Sequence, residues 1–135
     1  MPPTPPAEHL PIRASPDVVL VRQAIRNLAA RLGFSLIDQT KVVTAASELA
    51  RNTLEHGGGG SAQIEAVYRG ITPGIRAVFE DQGPGIADTQ AALSDGFTTG
   101  GGMGLGLGGS KRLVNEFDLH TAVGTGTRIT IVKWK

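Results

Sequence analysis

Apolar residues recur along this chain in two periods, and the change of period divides it into elements. Met1–Glu8 holds four prolines in eight residues and predicts a disordered tail. His9–Ala14 is a candidate edge strand, since Pro11 is tolerated only at an edge. Ser15 and Pro16 read as N-cap and first helical position. Val18, Val21, Ile25, Leu28 and Leu32 then fall on one helical stripe, closed by Gly33. Ser35 to Asp38 has the spacing of a capping box and opens a second helix. Its buried face is Val42, Ala45, Ala46, Leu49 and Ala50, and it runs to about His56, stopping at Gly57-Gly58-Gly59-Gly60.

Beyond these glycines the period falls to two. Ala62–Arg69 and Gly74–Glu80 alternate and are joined by Gly70-Ile71-Thr72-Pro73, which predicts an antiparallel pair. Asp88–Leu93 suggests a short helix and Asp95–Met103 a mobile lid. Gly109–Phe117 predicts a helix with Leu113, Val114 and Phe117 on one side. Leu119–Val123 and Thr127–Trp134 follow as strands, joined by Gly124-Thr125-Gly126. Elements in this order predict a single α+β domain over residues 9–135. It would be a two-layer sandwich with one mixed, mostly antiparallel sheet and helices packed on one face.

Composition removes several alternatives. A length of 135 residues suits one domain, and 40% hydrophobic content supports one core. A net charge of +1, with no basic stripe interleaved with aromatics, disfavours nucleic acid as a partner. Without cysteine there is no disulfide or thiolate metal site. His9, His56 and His120 are too scattered to suggest a metal cluster. No apolar run reaches the roughly 18 residues of a membrane helix, and the Pro-rich start is no signal peptide. The expectation is a cytoplasmic protein with no membrane partner.

Candidate chemistry concentrates in Glu80–Arg112, which holds ten of the 19 glycines. Asp81 stands just past a strand in the pattern D-x-G-x-G, where a carboxylate can meet a polar ring. The glycines at 104, 106 and 109 run into a helix start, where backbone N–H groups can meet phosphate. Gly104, Gly106 and Gly109 match G-x-G-x-x-G formally. The dinucleotide reading fails because no strand precedes them and position 124 holds glycine rather than an acid. Gly109-Ser110-Lys111 has the wrong order for a P-loop. Neither H-R-D nor D-F-G occurs, which excludes the eukaryotic-type kinase set. On the second helix, Glu48 and Asn52 are four apart and share a face. A solvated polar face would have the same spacing, but asparagine is a poor helix former and needs a reason to be there.

Glu48-x-x-x-Asn52, Asp81-x-Gly83-x-Gly85, Gly102-x-Gly104-x-Gly106 and Gly126-Thr127, in this order, resemble the ATP-binding motifs of the GHKL superfamily. Gyrase, Hsp90, histidine kinases and MutL belong to it, and the fold it implies is the Bergerat ATP-binding sandwich. More narrowly, ELARN, EDQGPGI, SDGFTTGGGMGLGLGGSKRLVNEF and GTRITIVKW are similar to the RsbT-like switch-protein kinases. The glycine-rich Glu55–Gly60 stretch departs from the expected pattern.

The resemblance implies an ATP- and Mg²⁺-dependent serine/threonine protein kinase of a bacterial partner-switching, stressosome-type cascade. It would phosphorylate a STAS-domain antagonist and then activate a PP2C-type phosphatase. Glu48 would be the general base and Asn52 the Mg²⁺ ligand. Asp81 would accept the adenine amino group, with Thr127 assisting through water and Gly83 and Gly85 passing close to the ring. Gly102, Met103, Gly104, Leu105, Gly106, Leu107 and Gly108 would wrap the phosphates. The rival readings are an RsbW-like anti-sigma factor kinase, a non-catalytic ATP-binding regulator and a histidine-kinase catalytic domain. Lys111 and Arg112 could be solvated first-turn cations or phosphate contacts, and Arg51 could face a partner or a phosphate.

Overall fold

The computed structural model describes residues 4–86 and 107–135. The strands are β1 (Glu8–Ile12), β2 (Gly60–Arg69), β3 (Thr72–Asp81), β4 (Glu116–Ala122) and β5 (Gly126–Trp134). The helices among these residues are α1 (Ser15–Arg31), α2 (Leu36–Glu55) and α3 (Leu107–Leu113). The sheet has the order β1-β2-β3-β5-β4. Each neighbouring pair is antiparallel, so the sheet expected to be mostly antiparallel is antiparallel throughout among the described residues.

Alternation assigns the two faces of the sheet. Ile75, Ala77, Phe79 and Asp81 of β3 are buried, and their partners Lys133, Ile131, Ile129 and Thr127 on β5 are buried too. This side meets Val18, Val21, Ile25 and Ala29 of α1 and Val42, Ala45, Ala46, Leu49 and Ala50 of α2 in one core. The other side carries Glu65, Arg76, Glu80, Arg128 and Asp118 and faces water. Arg76 pairs there with Glu65 at 3.2 Å, and Arg69 lies over the Trp134 ring at 4.6 Å. Lys133 alone puts a charge among the core positions of β5. Its Nζ reaches Asp38 Oδ1 at 3.3 Å, which ties the far end of β5 to the first turn of α2.

Several boundaries differ from expectation for visible reasons. The N-cap of α1 is Ala14, not Ser15. Asp17 replaces a capping side chain by taking the N–H groups of Arg13 and Ala14 at 2.8 and 3.1 Å. Ser35 caps α2 as expected, its Oγ accepting from the Asp38 N–H at 3.1 Å. The β2–β3 connection shortens to Gly70-Ile71, with Gly70 at φ +61°, because Arg69 and Thr72 already pair. The last helix ends at Leu113, and Phe117 lies in β4. The Asn115 N–H bonds the Val132 carbonyl at 2.9 Å, and Trp134 bonds both Asn115 Oδ1 and Glu116 Oε2. Pairing with β5 therefore outweighs the helical spacing. At the start of the chain, β1 begins at Glu8, and Pro5 is half-buried beside a hollow lined by Leu28 and Ile64. The expected short helix over 88–93 and lid over 95–103 lie outside the described residues.

Candidate functional site

Asp81 occupies the last core-facing position of β3, where the preceding three are Ile75, Ala77 and Phe79. The strand thus delivers a carboxylate into the layer between sheet and helices, at the end where α2 finishes. Asp81 is 5% exposed. Its Oδ1 accepts the Gly83 N–H at 2.8 Å, which closes the D-x-G turn on itself. Burial pushes the Asp81 carboxyl above its ordinary range, against the opposing pull of the Gly83 N–H, of nearby His56 and of the Thr127 N–H.

Two glycines allow this packing. A Cβ on Gly57 would lie 2.3 Å from Asp81 Cγ, and one on Gly83 would lie 2.6 Å from the Gly57 carbonyl oxygen. Gly57, Asp81 and Gly83 are stacked with no room for another carbon. Within the glycine run after α2, Gly57 therefore packs directly on Asp81 at the candidate site. Gly57 was missed because four successive glycines look like a spacer, and no spacing rule separates the packed one from Gly58, which has open space around it. Gly83 and Gly85, expected to pass close to a ring, both approach protein backbone closely. Gly85, at φ +75°, would place a Cβ 2.1 Å from the Ala122 carbonyl oxygen.

Thr127 is the cross-strand partner of Asp81 and is 4% exposed. Its Oγ1 lies 2.9 Å from Thr121 Oγ1 on β4. Thr121 Oγ1 also takes the Ile86 N–H at 2.9 Å and lies 3.0 Å from the Gly126 carbonyl oxygen. Thr121 thus binds the segment after Asp81 to β5 across 35 residues of sequence, a contact with no local signal.

The last turns of α2 supply the other candidates. Asn52 is 7% exposed, and its backbone carbonyl accepts from the N–H groups of His56 and Gly57 at 2.9 and 3.2 Å. This bond pair ends the helix directly over Asp81. Glu48, one turn earlier, is half-exposed and accepts from Arg51 Nη1 at 3.0 Å. Burial separates the two: Asn52 belongs to the interior and Glu48 to its rim. The Glu48–Arg51 pair is exposed on both sides, so it is readily exchanged for another partner. His56 Nε2 is buried and has no hydrogen-bond partner among the described residues.

Hollows open on both sides of Asp81. One, of about 650 Å³, is lined by Gly57–Gly60, Ser61 and Glu80. The other, of about 360 Å³, is lined by Thr121, Gly126, Thr127 and Arg128. On α3, which packs against α2, Leu107, Gly108 and Ser110 are buried while Lys111 and Arg112 are exposed. Gly102, Met103, Gly104, Leu105 and Gly106 lie outside the described residues. Among the described residues no cluster of three or more His, Asp or Glu side chains could hold a metal. Asn52 offers a hard amide oxygen, which suits Mg²⁺ when substrate phosphates provide further ligands. No described helix is long and apolar enough to cross a membrane.

Residues 37–135 match the family described as histidine kinase-, DNA gyrase B-, and HSP90-like ATPase. The chain is 48% identical over 118 residues to the serine/threonine-protein kinase RsbT of Bacillus subtilis (strain 168), covering 87% of this chain and 89% of that one. In fold it is similar to the RsbU and RsbW domains of a Mycobacterium tuberculosis protein. That TM-score is 0.66 at 22% identity, over 97% of this chain and 33% of the other. It also resembles the SiaB–SiaC complex from Pseudomonas aeruginosa, with TM-score 0.57 at 13% identity over 98% and 91%. The catalytic domain of histidine kinase ThkA gives TM-score 0.54 at 15% identity over 93% and 95%.

Proposed function

The chain belongs to the histidine kinase-, DNA gyrase B- and HSP90-like ATPase family, as a serine/threonine-protein kinase of the RsbT-like branch, and we propose that it serves a stressosome-type partner-switching cascade. Its substrate is a serine of a STAS-domain antagonist, and its second partner, after transfer, is a PP2C-type phosphatase that it activates. A cytoplasmic location goes with these partners.

The observation that carries the nucleotide reading is Asp81. A carboxylate buried at an open sheet end, shifted by desolvation and paired across the sheet with Thr127, supports a ligand site rather than a core position. In this reading Asp81 accepts from the adenine amino group, and Thr127 assists through water. Backbone N–H groups over 102–108 bind the phosphates. Asn52 holds Mg²⁺, which when bound supplies positive charge to the phosphate oxygens. Phosphoryl transfer needs chiefly positioning and charge neutralisation, with a base that orients the nucleophile. Glu48, at the exposed rim, takes the proton of the incoming serine as its oxygen bonds to the γ-phosphorus and the bond to ADP breaks. Arg51 holds only Oε1 of Glu48, and an exposed pair of this kind costs only about 0–1 kcal/mol to separate.

The test pairs calorimetric titration with Mg-ATP and phosphoserine mapping on a STAS-domain substrate. Asn52→Ala is expected to weaken nucleotide binding and transfer together. Wild-type protein that binds no ATP and yields no phosphoserine refutes the proposal.

A further inference from the structure

We propose that Thr121 is a positioning residue that fixes the proton of the Thr127 hydroxyl, and with it the choice of a 6-amino over a 6-oxo purine at Asp81. The inference rests on the nucleotide reading given above.

Hydrogen-bond inventory leads to it. A threonine hydroxyl has one proton and two lone pairs. One lone pair of Thr121 receives the Ile86 N–H at 2.9 Å. The Gly126 carbonyl, at 3.0 Å, can only accept, so it takes the Thr121 proton. The Thr127 hydroxyl, at 2.9 Å, then donates into the remaining lone pair of Thr121. All three neighbours are satisfied and Thr121 is saturated. The opposite polarity, with Thr121 donating to Thr127, takes its proton away from Gly126 and leaves the Thr127 proton to find another acceptor.

With its own proton committed to Thr121, Thr127 has only lone pairs left for the site. Its cross-strand partner Asp81, as carboxylate, also offers only lone pairs, and one oxygen already holds the Gly83 N–H. Two acceptors side by side require a donor between them, which an exocyclic amine or the water bound to it provides. A 6-oxo group would present a third acceptor. Thr121 touches no purine in this arrangement and acts only through Thr127.

The experiment measures Kd for Mg-ATP and Mg-ITP by calorimetry on the full chain. The wild type is expected to prefer ATP by about 100-fold or more, since a buried polar mismatch is severe. Thr121→Val keeps the shape but frees the Thr127 proton to donate, so the preference should fall by about tenfold or more. Thr121→Ser, which restores the hydroxyl, should return it to within about threefold of wild type. A role in packing alone would weaken ATP and ITP equally, so an unchanged ratio in folded Thr121→Val overturns the inference. If Thr121→Val does not fold, Thr121→Cys, with its weaker thiol, must lower the ratio in the same direction, and an unchanged ratio there overturns it too. A wild-type protein that binds neither nucleotide, or both equally, refutes the adenine site itself.

Discussion

Replacing Gly57 by alanine adds one carbon at the tightest point of the site. The new Cβ would lie 2.3 Å from Asp81 Cγ, 2.5 Å from Oδ2 and 2.6 Å from Asp81 Cβ. Ordinary contact between carbon atoms begins near 3.5 Å, so something must move by roughly 1 Å. The carboxylate cannot move freely, because Gly83 holds Oδ1 and the Gly83 backbone is itself pressed against Gly57. Overpacking of this kind costs about 1–3 kcal/mol, and displacing the carboxylate from the Gly83 N–H costs about another 1.5–3 kcal/mol. Rotating Asp81 moves its carboxylate but not its Cβ, at 2.6 Å, so the backbone must shift as well and the two losses overlap only in part. The expected destabilisation is therefore at least about 1–3 kcal/mol, or several degrees in Tm for a chain this size. If Asp81 rotates, ATP affinity falls by about 5- to 150-fold. Gly58→Ala is the matched control. It has φ +76° and nothing within 4 Å, so it should show backbone strain of about 1–2 kcal/mol and unchanged ATP affinity. The assay is calorimetric titration with Mg-ATP beside a thermal melt of each variant. Gly57→Ala that binds ATP as the wild type does would refute the reasoning, since Asp81 then either stays in place despite the added carbon or takes no part in binding.

Asp81→Asn should separate stability from function. The folded carboxyl titrates above its ordinary range, so the folded state binds more protons than the unfolded one between those two values. Its charged form therefore destabilises the fold above the raised value, and this cost disappears as pH falls into the ordinary carboxylate range. Asp81→Asn should melt higher than wild type near pH 7, lose that advantage near pH 4, and bind ATP about 5- to 150-fold more weakly. A variant that melts lower at neutral pH contradicts the burial argument. Lys133→Ala should destabilise by somewhat less than the roughly 3–5 kcal/mol of a fully enclosed pair, because Asp38 keeps partial access to water. It should leave ATP affinity untouched, which denaturant melts and calorimetry together would check. Arg51→Ala removes an exposed partner of Glu48 and should change stability by less than about 1 kcal/mol in the same melts.

Much of the fold was legible because its signals are local. Ser35 and the glycines after His56 bound α2, and strict alternation over β2 and β3 placed Asp81 at the end of a strand. The misreadings occurred where distant partners decide. Leu113, Val114 and Phe117 suit a helix by spacing, but Phe117 and Leu119 suit a strand equally well, and β5 takes them. Ala14 caps α1 through a carboxylate three residues on. At the candidate site, motif spacing singles out Asp81 and Asn52, and both are buried. It does not single out Gly57 or Thr121, because the first is defined by the space beside Asp81 and the second by a bond across the sheet. Motif spacing also singles out Glu48, but spacing alone does not show its pairing with Arg51.

In the proposed reaction Glu48 acts on the incoming serine and not on ATP. Its position at the half-exposed rim, one turn from buried Asn52, predicts a separation of effects in Glu48→Ala. The direct measurement is phosphoserine formed on a STAS-domain substrate from Mg-ATP, by wild type and by Glu48→Ala, with ATP affinity measured on the same samples. Affinity is expected to stay nearly unchanged while the rate falls by about 10²–10⁴-fold. Transfer at the wild-type rate would contradict this role and leave Glu48 as a solvated partner of Arg51.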